Sequence, residues 1–292
     1  MHQIMKVLPN SIVANMKNID IEALTEIRIR LNQNLCFRLG KTEVIKEYKV
    51  LKEDIIEILR KVSNNSIYSI QKEINNGYIT APGGNRIGIV GEVVLDNGEI
   101  KNIKNISSLN VRICHEKKDC SYAVFDKIYK DNELLNTLII SPPGCGKTTI
   151  LRDIIRKASN NGKNVGIVDE RCEIAAASNG FCSLDVGTRT DVISNVDKSY
   201  GINLMTRSMG LDVIATDEIG SKEDILAIIK AKQSGIKVIA TAHGSVAGDL
   251  PHALKNIIFD GIFDVVIYLS NEIGKIEKVV YTNQKEEVFN VY

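Results

Sequence analysis

The chain has 292 residues and a formal charge of +1, with 25% charged and 44% apolar residues. That length accommodates two ordinary domains, each with its own core. The near-neutral balance argues against a dedicated nucleic-acid binder, and no run approaches the ~20 apolar residues that cross a bilayer.

The first stretch, MHQIMKVLPNSIVANMKNID, lacks the continuous apolar core of a signal peptide, so a cytoplasmic protein is expected. Six cysteines (Cys36, Cys114, Cys120, Cys145, Cys172, Cys182) include no C-x-x-C pair, which fits a reducing compartment. Cys114, His115 and Cys120 lie close together, but a metal site there needs further ligands that the spacing does not supply.

In chain order, TEIRIRLNQNLCFRLG alternates apolar and polar residues, as half-buried strands do around a turn at Asn32 to Asn34. KEDIIEILRKVSNNSIYSIQKEINNG reads as two helices broken near Asn64 and Asn65. NRIGIVGEVVLDNGEIKNIKNISSLNVRI supplies further strands, with Asp96-Asn97-Gly98 as a hairpin turn. An α+β domain over residues 1–115 is therefore expected, followed by a charged linker helix within 116–134.

From residue 135 the pattern changes. LNTLIIS, NVGIVDE, LDVIATDE, GIKVIATAH and FDVVIYLS are short apolar runs without polar alternation, the mark of strands buried on both faces of a mainly parallel sheet. TTILRDIIRKASN places Ile150, Leu151, Ile154, Ile155 and Ala158 on one helical face. SKEDILAIIKAKQSG opens with Ser221 as an N-cap and reaches Gly235 near its end. Residues 135–292 read as an α/β nucleotide domain.

The chemistry concentrates at IISPPGCGKTTI. A phosphate cradle needs inward-facing backbone amides, a cation for the outer phosphates and a hydroxyl for Mg²⁺. Pro143, Gly144, Cys145, Gly146, Lys147, Thr148 and Thr149 supply this order, and a helix follows at once. Ser141 stands where the pattern asks for its first glycine, at an expected cost in backbone freedom.

Some seventy residues on, LDVIATDEIG ends a strand in Asp217-Glu218, where a metal-organising carboxylate is followed by a water-activating one. Thr148 and Asp217 are the candidate Mg²⁺ residues. A second strand ends in Asp169-Glu170-Arg171. Glu170 is a candidate for ordering water or metal, and Arg171 for phosphate charge or a neighbouring subunit. His243, after the strand VIATA, is placed to sense the γ-phosphate, and Arg189 and Arg207 are candidate arginine fingers in cis or trans. The candidate catalytic set is thus Lys147, Glu218, Glu170, His243 and Arg207, with ATP and Mg²⁺ as ligands. ATP is favoured over GTP because no N/T-K-x-D guanine-reading segment follows the loop.

Taken together, the loop, VDERCEIA, the strand ending in DEIG, and TAHG resemble the secretion-motor ATPases of type II and type IV systems. The segments LTEIRIRLNQNL, GGNRIGIVGEVVLDNGEIKNIKNISSLNVRI and LDVIATDEIGSKEDILAIIKAKQSGIKVIATAHG are more closely similar to the sporulation stage III AA family of endospore-forming bacteria. The resemblance covers nearly the whole chain. It implies a RecA-like P-loop ATPase domain behind a smaller α+β domain, and a homo-hexameric cytoplasmic ring. It also implies docking on membrane proteins of a channel complex at the mother-cell side of the forespore membrane. Longer relatives carry an additional C-terminal nucleic-acid-binding domain, for which this chain, ending at Tyr292, is expected to have no room, and no direct nucleic-acid partner is expected. The competing readings are a nucleic-acid-dependent motor of helicase or recombinase type, and a scaffold that uses nucleotide only to assemble.

Overall fold

The alternating and continuous apolar runs segregate into two separate sheets in the computed structural model. It describes residues 3–66, 70–96, 98–130, 133–178, 180–246, 255, 256, 258 and 260–282, without the side chains of 72, 99 and 178. Two compact units result: Met1–His115 with Ser178–Ser183, and Glu116–Ala177 with Leu184–Tyr292.

In the first unit, helix α1 (Asn10–Asn15) precedes strands β1 (Leu24–Arg30), β2 (Asn34–Leu39) and β3 (Thr42–Lys49). Helices α2 (Lys52–Val62) and α3 (Gln71–Asn75) lead to β4 (Tyr78–Ala81), β5 (Asn85–Asp96) and β6 (Glu99–Arg112). The sheet order is β3-β2-β1-β6-β5-β4, antiparallel throughout. Period-two alternation turns Ile27, Ile29, Phe37, Ile87 and Val111 into one core with Ile12, Ile55, Ile58 and Ile74 of the helices. The break expected at Asn64 and Asn65 is real: both adopt positive φ, 49° and 65°, and stop α2. Asp96 pairs with Glu99 to close the β5–β6 hairpin; Asn97 of the expected turn lies outside the described residues.

The second unit opens with α4 (Tyr122–Ile128). This helix lies within the segment 116–134 where a linker helix is expected. Val124, Phe125 and Ile128 are buried in this unit's own core, and Asp153 ties the start of α4 down by accepting from Ser121 N–H (2.9 Å) and Ser121 Oγ (2.7 Å).

The main elements follow as β7 (Thr137–Ser141), α5 (Lys147–Asn160), β8 (Val165–Asp169), β9 (Thr190–Ser194), α6 (Lys198–Ser208), β10 (Val213–Thr216), α7 (Lys222–Gln233), β11 (Lys237–His243), β12 (Val265–Leu269) and β13 (Ile276–Tyr281). The order β9-β8-β10-β11-β7-β12-β13 is parallel except for the antiparallel edge strand β13. Residues Val165–Asp169, Thr137–Ser141 and Val213–Thr216 are buried along their whole length, which is why these runs show no alternation. Ser221 caps α7, accepting from Asp224 N–H at 3.0 Å, while Asp224 accepts in return from Ser221 N–H. This is the α/β P-loop architecture expected from the sequence. The carboxyl ends of β7, β8, β10 and β11 gather along one edge, with β7 inserted between β11 and β12.

Candidate active site

The loop between β7 and α5 turns at two residues of positive φ, Gly144 (78°) and Gly146 (90°). Both are glycines, as that conformation requires. Ser141 needs no such freedom: it is the last residue of β7, fully buried in extended backbone, so the expected cost of lacking a glycine there does not arise. Pro143 and Gly144 are exposed at the loop crest, Cys145 turns inward, and Thr148 and Thr149 lie half-buried in the first turn of α5. The turn after β12 backs the loop, with Gly274 N–H donating to Cys145 O at 3.2 Å.

Lys147 is buried. Its Nζ donates to Ser141 O (3.1 Å) and Pro142 O (3.2 Å) and stands 3.2 Å from His243 Nδ1. Burial holds its ammonium below the usual lysine range, and the charge of Glu218 works against that shift. His243 reaches the lysine because β11 pairs with β7 in a register that sets His243 opposite Ser141. The other face of the imidazole meets Glu218, with Nε2 at 2.9 Å from Oε1. Arg171 Nη1 lies 3.3 Å from Glu218 Oε2. Lys147, His243, Glu218 and Arg171 thus form one continuous chain of polar contacts.

Glu218 is held by more than its side chain. Its φ is 44°, unusual for a residue with a side chain, and its N–H donates to Thr241 Oγ1 at 2.9 Å. The next amide, Ile219 N–H, donates to Thr241 O at 2.8 Å. Thr241 therefore ties the end of β10 to β11 and aims Glu218 across the site. Sequence reasoning missed it; its place two residues before His243 on the same strand was the available signal.

Asp217 is 2% exposed, and among the described residues no hydrogen bond is made to its carboxylate. Burial pushes its pKa up to about 7. The neighbouring Asp169 carboxylate adds to the rise and Lys198 opposes it. A buried carboxylate with no hydrogen bond among the described residues, and with the charge of Asp169 acting on it, is suited to a cation. Among the described residues no group of three or more His, Cys, Asp or Glu could hold a metal ion. A Mg²⁺ ion at Asp217 and Thr148 would complete its shell from phosphate oxygens and water, as Mg²⁺ commonly does.

At the end of β8, Asp169 is not a free carboxylate. It accepts from the backbone N–H groups of Glu173 (2.8 Å), Ile174 (3.1 Å) and Ala175 (2.9 Å). Arg152 of α5 closes the same turn from outside, its guanidinium donating to Ile174 O (2.5 Å) and Glu173 O (2.7 Å). These two residues shape the segment that carries Glu170 and Arg171. Glu170 itself is ion-paired with Lys198 at the start of α6.

Neither candidate arginine finger reaches the loop of its own chain. Arg207 lies in the last turn of α6, nine residues and roughly 14 Å of helix beyond Lys198, where its Nε donates to Asn203 O. Arg189 immediately precedes β9, at the opposite edge of the sheet, with Nε donating to Asn164 Oδ1 and its carbonyl accepting from Val165 N–H. Parallel strands separate their starts from their ends, so both arginines face away from the site. Arg171 is the arginine that the fold brings in.

Over residues 1–288 the chain matches the family model described as sporulation stage III, protein AA. It is 37% identical over 284 residues to stage III sporulation protein AA of Bacillus subtilis (strain 168), covering 94% of this chain and 92% of that protein. Among solved structures it is similar to the ATPase DotB of Legionella pneumophila (TM-score 0.59, 11% identity, 97% of this chain and 82% of that one). It is similar also to the pilus retraction motor PilT with bound ADP (TM-score 0.59, 13% identity, 89% and 77%). At these identities the structural likeness establishes the fold.

Proposed function

The chain belongs to the sporulation stage III protein AA family, and from that premise we propose that it hydrolyses ATP to drive a membrane channel complex of the sporulating cell. The observation that carries this reading is the contact chain Lys147–His243–Glu218, which joins the phosphate loop to the strand end bearing the candidate base. A fold that only bound nucleotide to assemble would have no use for a carboxylate aimed there.

In this reading the turn at Gly144 to Gly146 and the start of α5 receive the phosphates, and Lys147 leaves its two loop carbonyls for the outer phosphate oxygens. Mg²⁺, when bound, neutralises charge on the β- and γ-phosphates. Glu218 accepts a proton from water as the water oxygen bonds to the γ-phosphorus and the bond to the bridging oxygen breaks. His243, touching both Lys147 and Glu218, couples occupancy of the phosphate site to the orientation of the base. Glu170 is tied to Lys198 and acts on the surroundings of the reaction rather than as its base.

The work is done by a homo-hexameric ring whose domains close on ATP and open after hydrolysis. In such a ring Arg207 or Arg189 acts on the site of a neighbouring copy. Among the described residues no helix is long and apolar enough to cross a membrane, so force on the mother-cell face of the forespore membrane passes through a membrane partner.

The test is ATP turnover and nucleotide binding for the wild type, Lys147→Ala and Glu218→Gln, with mass followed by light scattering as protein concentration is raised. Loss of binding in the first variant, and binding without turnover in the second, support the reading. Near-normal turnover in Glu218→Gln moves the base elsewhere. Concentration-independent activity from a monomer removes the ring.

A further inference from the structure

Lys198 occupies a position that opposes a positive charge in two ways. It is 7% exposed, and it is the first residue of α6, directly after the N-cap Asp197, where the helix presents its own partial positive charge. A solvated surface lysine has neither penalty. What offsets both is the acidic group at the strand ends. Lys198 Nζ is ion-paired with Glu170 Oε2.

The two carboxylates sit on neighbouring strands. β8 and β10 pair with Val168 opposite Thr216, so Glu170 and Asp217 follow that pair by two residues and by one. Helix α6 brings the ammonium to Glu170: Asp197 caps the start of the helix by accepting from Tyr200 N–H, and packing of Ile202 and Met205 into the core fixes its orientation. Among the described residues Glu170 has no comparable backbone anchor. Its neighbour Asp169 is locked by three amides, whereas the Glu170 side chain is 39% exposed and held through Lys198.

We infer that Lys198 is a positioning residue for the ATPase site: by pairing with Glu170 it fixes that carboxylate at the end of β8, next to the strand whose end carries Asp217. The inference deepens the hydrolase reading and rests on it. Removing the charge frees Glu170 to rotate into solvent. Removing Glu170 alone leaves the buried Lys198 ammonium without its partner, a cost that removing both members does not carry.

The experiment is a double-mutant cycle on the full chain with Lys198→Met, Glu170→Gln and both, plus Lys198→Arg. Each variant is read twice: by urea unfolding without nucleotide, and by steady-state kcat and KM for ATP well below the melting temperature. In unfolding, the expected result is a coupling of at least about tenfold in the unfolding equilibrium constant. In turnover, Lys198→Met lowers kcat by roughly tenfold with KM changed less than about threefold, the effect vanishes in the Glu170→Gln background, and Lys198→Arg recovers most of the loss. Additive unfolding effects overturn the inference even if no variant hydrolyses ATP. So does wild-type kcat in Lys198→Met, which leaves the hydrolase reading intact. An inactive wild type with coupled unfolding removes the hydrolase reading and with it the positioning role. Should Lys198→Met not fold, the double variant and Lys198→Arg decide: failure of the double variant to fold overturns the pairing.

Discussion

The Nε2 of His243 lies 2.9 Å from Oε1 of Glu218, although the two residues come from different strands. With Nδ1 set against the Lys147 ammonium, which can only donate, the imidazole accepts at Nδ1 and donates from Nε2 to Glu218. Replacing His243 with Ala cuts the link between the loop and the candidate base. Turnover of ATP is expected to fall by about 10- to 100-fold, while nucleotide affinity, measured with a fluorescent ADP analogue, changes less than about threefold. Equal losses in kcat and affinity would instead make His243 part of the phosphate cradle.

Asp217 makes the stability of the nucleotide-free chain depend on pH. Its folded pKa, about 7, lies above the value near 4 expected for an unfolded aspartate. The stability its protonated form contributes is therefore complete at acidic pH and is lost as pH rises through about 7. Asp217→Asn removes this dependence. Between about pH 5 and about pH 8, its stability relative to the wild type should increase by on the order of 2 kcal/mol in urea titrations. A constant difference across that range would place the Asp217 pKa within the ordinary carboxylate range.

Thr241 offers a test of whether Glu218 must be held at its positive φ. Thr241→Val keeps the volume and removes the oxygen that accepts from Glu218 N–H. A buried amide left without its partner costs about 1–3 kcal/mol. We expect that loss in unfolding experiments, together with a fall in kcat of about tenfold or more and little change in KM. If kcat holds while stability drops, the strained backbone is a structural feature alone.

The loop glycines and Ser141 should respond oppositely to exchange. Ser141→Gly removes a side chain from the end of a buried strand, where glycine costs about 0.5–1 kcal/mol, and leaves nucleotide affinity within about twofold. Gly146→Ala forces a side chain into φ 90° with its Cβ 3.3 Å from Ile273 Cγ2. Nucleotide affinity, measured by calorimetry, is expected to fall at least tenfold there. Similar effects from the two exchanges would contradict the assignment of backbone freedom to Gly144 and Gly146.

The sequence by itself determined the elements and the residue types carried at their ends. Continuous apolar runs such as LNTLIIS and LDVIATDE announce strands buried on both faces, and PPGCGKTT announces a phosphate loop, because those signals depend on local backbone and burial requirements. Even Asp217 and Glu218 are legible, since a carboxylate pair ending an apolar strand is itself a local pattern.

Only the tertiary structure decided which strand ends meet. Strand order sets β11 beside β7, and the register then sets His243 opposite Ser141 and within reach of Lys147 and Glu218. The same parallel arrangement sends Arg189 and Arg207 to the far edge and brings Arg171 in, a sorting that no spacing along the chain encodes. Thr241, Arg152 and Lys198 stayed hidden because their roles are hydrogen bonds and ion pairs between elements distant in sequence. A threonine in a strand, an arginine on a helix and a lysine after an N-cap have many uses, and only burial beside particular partners selects one.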